Sequence, residues 1–107
     1  MSKAIEGFEQ RAEQFLVALK TMSDSYMDWR FPNANKTEFK FEHGSKYVRV
    51  VMNSGSSTSV HCFLNKVNGD ILKAASWSAP AKHTRGNIFA DDFGMSAVGP
   101  HGANYFR

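Results

Sequence analysis

Cysteine is almost missing from this chain: Cys62 is the only one in 107 residues. A single cysteine makes no intramolecular disulfide, no zinc knuckle and no CxxC redox pair. Its place in the alternating run VHCFLN points to a buried, inert thiol, with a catalytic thiol as the lesser reading. Ligand spacing is missing too, since His43, His61, His83 and His101 stand about twenty residues apart. No metal or cofactor is therefore expected. No apolar run approaches the ~20 residues that cross a bilayer, so no membrane partner is expected either. The N-terminal MSKAIEGFEQRAEQF mixes acids and polar residues, unlike a secretory leader, and a cytoplasmic protein is the expectation.

Acid is the third scarcity, and it is local. Residues 1–42 balance Lys3, Arg11, Lys20, Arg30, Lys36 and Lys40 against Glu6, Glu9, Glu13, Asp24, Asp28, Glu38 and Glu42. Residues 43–90 set Lys46, Arg49, Lys66, Lys73, Lys82 and Arg85 against Asp70 alone. The overall charge of +3 hides this asymmetry. A basic half implies an anionic partner; an unevenly charged but idle surface is the plainer alternative.

Enzyme chemistry finds little support. The DDFG at 91–94 contains a kinase tripeptide, but no glycine-rich phosphate loop precedes it and the chain is far too short. Asp91 and Asp92 have no third carboxylate at a defined spacing and read as a solvated turn. No Ser/His/Asp order is recognisable. His61 and Cys62 are neighbours on a presumed strand, which directs them to opposite faces. The chain is expected not to be an enzyme.

What is present describes one domain of α+β class. Apolar residues make up 42% of the chain and Phe alone accounts for nine, enough for a modest core. Ala4, Phe8, Ala12, Phe15, Leu19 and Met22 recur at helical spacing, with Ser2 as a candidate N-cap. The spacing continues through Tyr26 and Trp29, and Phe31-Pro32 ends it, giving a helical N-terminus over 1–31. From Thr37 the period becomes two. TEFKFEH and KYVRVVMN form a hairpin about Gly44-Ser45, and SVHCFLNK and DILKAASW a second about Asn68-Gly69, where a type I′ turn is expected. RGNIF is a candidate last strand, so the strands occupy 37–89. The glycine-rich 90–107 is a loosely docked tail or an arm on a neighbour. Such strands either bend into a small barrel with the helix on an open end or form an open meander with the helix across one face.

The binding reading gathers around KAASWSAPAKHTRGN (73–87), which holds no acid. Lys73, Lys82 and Arg85 would meet phosphates, Lys46 and Arg49 would extend the groove, and Trp77 would stack a base. The alternative for Trp77 is a core residue. VHCFLNKVNGDILKAASWSAPAKHTRGNIF (60–89), with GSKYVRVV (44–51) upstream, resembles a large family of small marine phage proteins, cyanophage proteins in particular. The resemblance implies a fold similar to Sm/LSm proteins: an N-terminal helix and a strongly bent five-stranded antiparallel barrel that assembles into rings. It also implies RNA or single-stranded DNA as partner, a ring-shaped homo-oligomer, and work in the cytoplasm of an infected bacterial host. Arg85-Gly86-Asn87 resembles the late Sm element, and Met52-Asn53 the earlier one without its aspartate. That adds Asn53 and Asn87 to the candidate nucleic-acid-binding residues. The competing expectation is a structural or interaction module of a phage, docking through Asn104, Tyr105 and Phe106.

Overall fold

The computed structural model describes residues 6–33, 36–53, 55, 57–99 and 102–103, without the side chains of His83 and Ala103. One helix, α1 (Phe8–Arg30), precedes strands β1 (Glu38–His43), β2 (Tyr47–Asn53), β3 (Thr58–Asn65), β4 (Asp70–Ala74) and β5 (Pro80–Asn87). A 3-10 turn (Met95–Ala97) and the short pair β6 (Val98–Gly99) and β7 (Gly102–Ala103) follow.

The apolar stripe decides which face of α1 is covered: Phe8, Ala12, Phe15, Leu19 and Ser23 are buried. Gly7, in the left-handed region at φ 81°, precedes the first turn; the proposed cap Ser2 lies outside the described residues. The C-terminus closes where Phe31 N–H donates to the Met27 carbonyl at 2.7 Å, just ahead of Pro32. Twenty-three residues give α1 a length of about 34 Å. The longest strands have eight residues, about 27 Å. Trp29, near the C-terminal end of α1, is 76% exposed although it continues the stripe's spacing.

The five strands form an antiparallel meander in the order β1-β2-β3-β4-β5. The sheet is not closed: β1 pairs only with β2 and β5 only with β4. The architecture is thus the open α+β alternative, with α1 across one face. Val48, Val50, Cys62, Leu64 and Ile71 meet the α1 stripe in the core, joined by Ile88, Ala97 and Val98.

Three irregularities bend the sheet, one between Val50 and Val51 and two along β4. At the first, Val50 pairs with Cys62 and Val51 with Val60, leaving His61 as the extra residue. Strict alternation therefore fails there, and both His61 and Cys62 are buried. His61 Nε2–H donates to the Gly99 carbonyl at 2.7 Å, and its ring lies edge-on to Phe39. At the second, Ile71 pairs with Gly86 and Leu72 with Thr84, so Arg85 is the extra residue.

Two turns differ from expectation. His43 pairs with Val48, so the first hairpin turns over residues 44–46 and beyond, and its register lies two residues from that of a tight Gly44-Ser45 turn. In the second, only Gly69 has positive φ, at 81°. Asn side chains shape that loop instead: Asn65 Oδ1 accepts from Val67 N–H and Asn68 Oδ1 from Asp70 N–H. Pro80 opens β5 rather than breaking the chain, a position that needs no ladder N–H.

Residues 88–99 dock firmly. Arg11 Nε donates to the Ile88 carbonyl at 2.6 Å and its guanidinium lies 4.0 Å from the Phe93 ring centre. Asp92 caps the 3-10 turn by accepting from Gly94 and Ser96 N–H. Those bonds, Ser96 first, hold the Asp92 carboxyl below its usual range. The aromatic end, 104–107, lies outside the described residues.

Candidate nucleic-acid interface

Cross-strand pairing lays one row over the sheet face turned away from α1: Glu42, Arg49, Phe63, Leu72 and Thr84 oppose one another from β1 to β5. Phe63 and Leu72 are 3% and 6% exposed although the helix does not cover them. The β4–β5 loop (75–79) reaches Arg49 on β2.

That loop is tied internally, with Ala75 and Ser76 N–H donating to the Ala79 carbonyl at 3.0 and 3.1 Å. Trp77 sits at its tip and is 45% exposed. It is therefore not a core residue. Arg49 Nε donates to the Trp77 carbonyl at 2.8 Å, and the guanidinium carbon lies 4.9 Å from the indole centre. Through Nη1 the same guanidinium donates to Glu42 Oε1 at 2.6 Å, and it lies 6.0 Å from the Phe63 ring. Arg49 is thus a tether between β1, β2 and the loop, rather than an uncommitted phosphate ligand. An exposed ion pair alone contributes little, about 0–1 kcal/mol, but here a cation–π contact and a backbone bond share the group.

The β1–β2 turn adds cations beside this face. Lys46 is exposed, with its ammonium 5.4 Å from the Tyr47 ring. Lys66 reaches over from the next turn and donates through Nζ to the Gly44 carbonyl at 2.5 Å. Between this turn and the loop lies a cleft of about 280 Å³, lined by residues that include Glu42, Lys46, Tyr47, Arg49, Phe63 and Ser78.

The remaining candidates divide. Lys73, Lys82 and Arg85 lie along the β4–β5 hairpin that carries Trp77. Lys82 is exposed, whereas Lys73 and Arg85 are half-buried and each is engaged in an interaction within the chain. Asn87 closes the hairpin: Nδ2 donates to the Asn68 carbonyl and to Asp70 Oδ1, while Oδ1 accepts from Phe89 N–H. Gly86 is structural as well, since a Cβ there would stand 2.6 Å from Ala97 Cβ. Asn53 sits at the far end of β2 from Tyr47, on a separate cleft with Lys36 and Lys40. The structure therefore brings Arg49, Trp77 and Lys46 into one neighbourhood, puts Lys82 on the same hairpin, and leaves Asn53 and Asn87 outside it.

Glu42 is the residue that sequence reasoning missed. A tight turn at Gly44-Ser45 would set it opposite Tyr47, and the observed register sets it opposite Arg49. Elsewhere reactive chemistry is scarce. Burial pushes the Cys62 thiol far above its normal range, which makes it unreactive. Among the described residues no three His, Cys, Asp or Glu side chains gather as a metal site. No helix among them is long and apolar enough to cross a membrane.

The chain belongs to DUF7717, a family of unknown function, whose pattern it matches over residues 3–99. No curated protein and no solved structure matches it.

Proposed function

We propose that this protein is a non-enzymatic module that binds RNA or single-stranded DNA on the face carrying Trp77. The Arg49–Trp77 pair carries the reading: an indole 45% exposed at a loop tip, with a guanidinium 4.9 Å from its centre. A tethered, half-exposed indole is a stacking platform, and each stacked base contributes on the order of 1–3 kcal/mol. Lys46, Lys66 and Lys82 supply cations for phosphates around it. Lys73 and Arg85 raise the local potential, and Asp70 is the only acid in residues 43–90.

The resemblance of residues 60–89 to marine phage proteins supports the same role. On this reading the open, bulged sheet is an unclosed form of the strongly bent Sm-like barrel. The edges of β1 and β5, unpaired within the described chain, would take a neighbouring copy and complete a ring-shaped homo-oligomer. Repeated basic faces around a ring would hold a long polyanion by avidity, in the cytoplasm of an infected bacterial host.

Trp77→Ala is the test. It should weaken binding of a short oligonucleotide, read by fluorescence anisotropy, by about 1–3 kcal/mol with the melting temperature nearly unchanged. Unchanged affinity would remove the platform, and loss of the fold would return Trp77 to a structural role.

A second reading, an interaction module without nucleic acid, has one observation in its favour. Trp29 and Phe31 are 76% and 47% exposed at the C-terminal end of α1, and both rings pack against Tyr26. Trp29→Ser should then abolish an assembly while leaving oligonucleotide binding intact.

A further inference from the structure

We propose that the cleft beside Trp77 reads a base, with Glu42 selecting one that presents hydrogen-bond donors on its edge, guanine above all. The inference rests on the nucleic-acid reading and goes beyond it by naming both the base and the group that recognises it.

The cleft, about 280 Å³, lies just under the ~300 Å³ at which small-molecule sites begin, a size for one planar ring system. Its lining combines apolar and charged walls. Phe63 is buried and meets Tyr47 edge-on with ring centres 6.3 Å apart, which provides a rigid aromatic wall. Lys46 and Arg49 bring positive charge, and Ser78 links the cleft to Trp77. Glu42 is the one carboxylate among the residues that line the cleft.

A lone carboxylate would repel a polyanion. Here Arg49 Nη1 donates to Oε1 at 2.6 Å and offsets the charge, while also fixing the side chain's orientation. Oε2 is less committed. Among the described residues it has only Lys40 Nζ, at 3.9 Å, beyond hydrogen-bond reach. The Glu42 side chain is 38% exposed, so a ligand can reach it.

An ionised carboxylate only accepts hydrogen bonds. It therefore suits an edge made of donors. Guanine offers its N1–H and N2 amino group side by side, the spacing of two carboxylate oxygens. Cytosine and adenine each offer one amino group beside a ring acceptor. Uracil and thymine flank their N3–H with carbonyl oxygens on both sides, which a carboxylate repels. Stacking on Trp77 alone would not discriminate among them, because every base has a π-face. The order of preference thus belongs to Glu42.

The experiment compares uridine heptamers whose central base is U, C, A or G, by fluorescence anisotropy at low salt. Wild-type protein should bind the guanine heptamer about tenfold more tightly than the all-uridine one, the discrimination of a good bidentate contact. Glu42→Gln should narrow that gap to within about threefold, because guanine binding weakens more than all-uridine binding. Far-UV circular dichroism checks the variant's fold, and the wild-type comparison needs no variant. Equal binding of all four heptamers, or a uridine preference, overturns the assignment and leaves nucleic-acid binding standing. No binding of any heptamer overturns the nucleic-acid reading, and the inference with it.

Discussion

Trp77 and Gly94 show what single positions are asked to do. Trp77 was legible as an aromatic in a basic stretch, but its direction was not, because a loop residue's orientation depends on what the fold brings beneath it. Here that is Arg49, two strands away. Gly94 was invisible in the sequence, lying in a glycine-rich stretch without periodicity. Its φ is +84°, and a Cβ there would stand 2.3 Å from Ile71 Cδ1. Gly94→Ala should destabilise the protein by about 1–3 kcal/mol through backbone strain and overpacking, read as a lower urea midpoint. Cys62, fully buried with its thiol pushed upward, should resist a thiol reagent in the native state and react only on unfolding. Rapid native labelling would contradict that placement. Asp92 links residue chemistry to pH. Its folded-state pKa is lowered, so its stabilising contribution is present above the unfolded value near 4 and is lost as pH falls through the lower folded value. Asp92→Asn should therefore flatten acid unfolding below about pH 4, measured by circular dichroism.

Among the elements, periodic signals were the readable ones. The stripe Phe8, Ala12, Phe15 and Leu19 defined α1, and the period-two runs defined β1 to β3. Register and bulges were not readable, since a turn longer by one or two residues leaves the alternation intact while changing every partner. The Glu42–Arg49 pair depends on that register, and the adjacent burial of His61 and Cys62 on one bulge. Arg85 is a bulge residue as well, so the Arg-Gly-Asn stretch serves the β4–β5 ladder and its closing turn. Arg49 holds the loop by its side chain alone. Arg49→Met keeps the packing stem but removes the tether. It should leave the global melt within about 1 kcal/mol while increasing amide exchange across residues 75–79. Unaltered exchange would show that the loop's own bonds to Ala79 suffice.

For the molecule as a whole, the class α+β and the antiparallel strand sequence followed from pattern alone, whereas barrel closure did not. Whether strands close depends on how far bulges bend them, and on whether β1 and β5 meet each other or a neighbouring copy. The proposed ring makes a plain demand, that the mass in solution be a fixed multiple of 12.0 kDa. A monomer at micromolar concentration would remove it. The central claim, a basic face for single-stranded nucleic acid, is tested most directly by the salt dependence of oligonucleotide affinity. Log affinity should fall linearly with log salt, by about 0.7 for each phosphate neutralised, and Lys46→Gln or Lys82→Gln should each make the slope shallower by about that amount. A flat profile, or no binding at low salt, would contradict it.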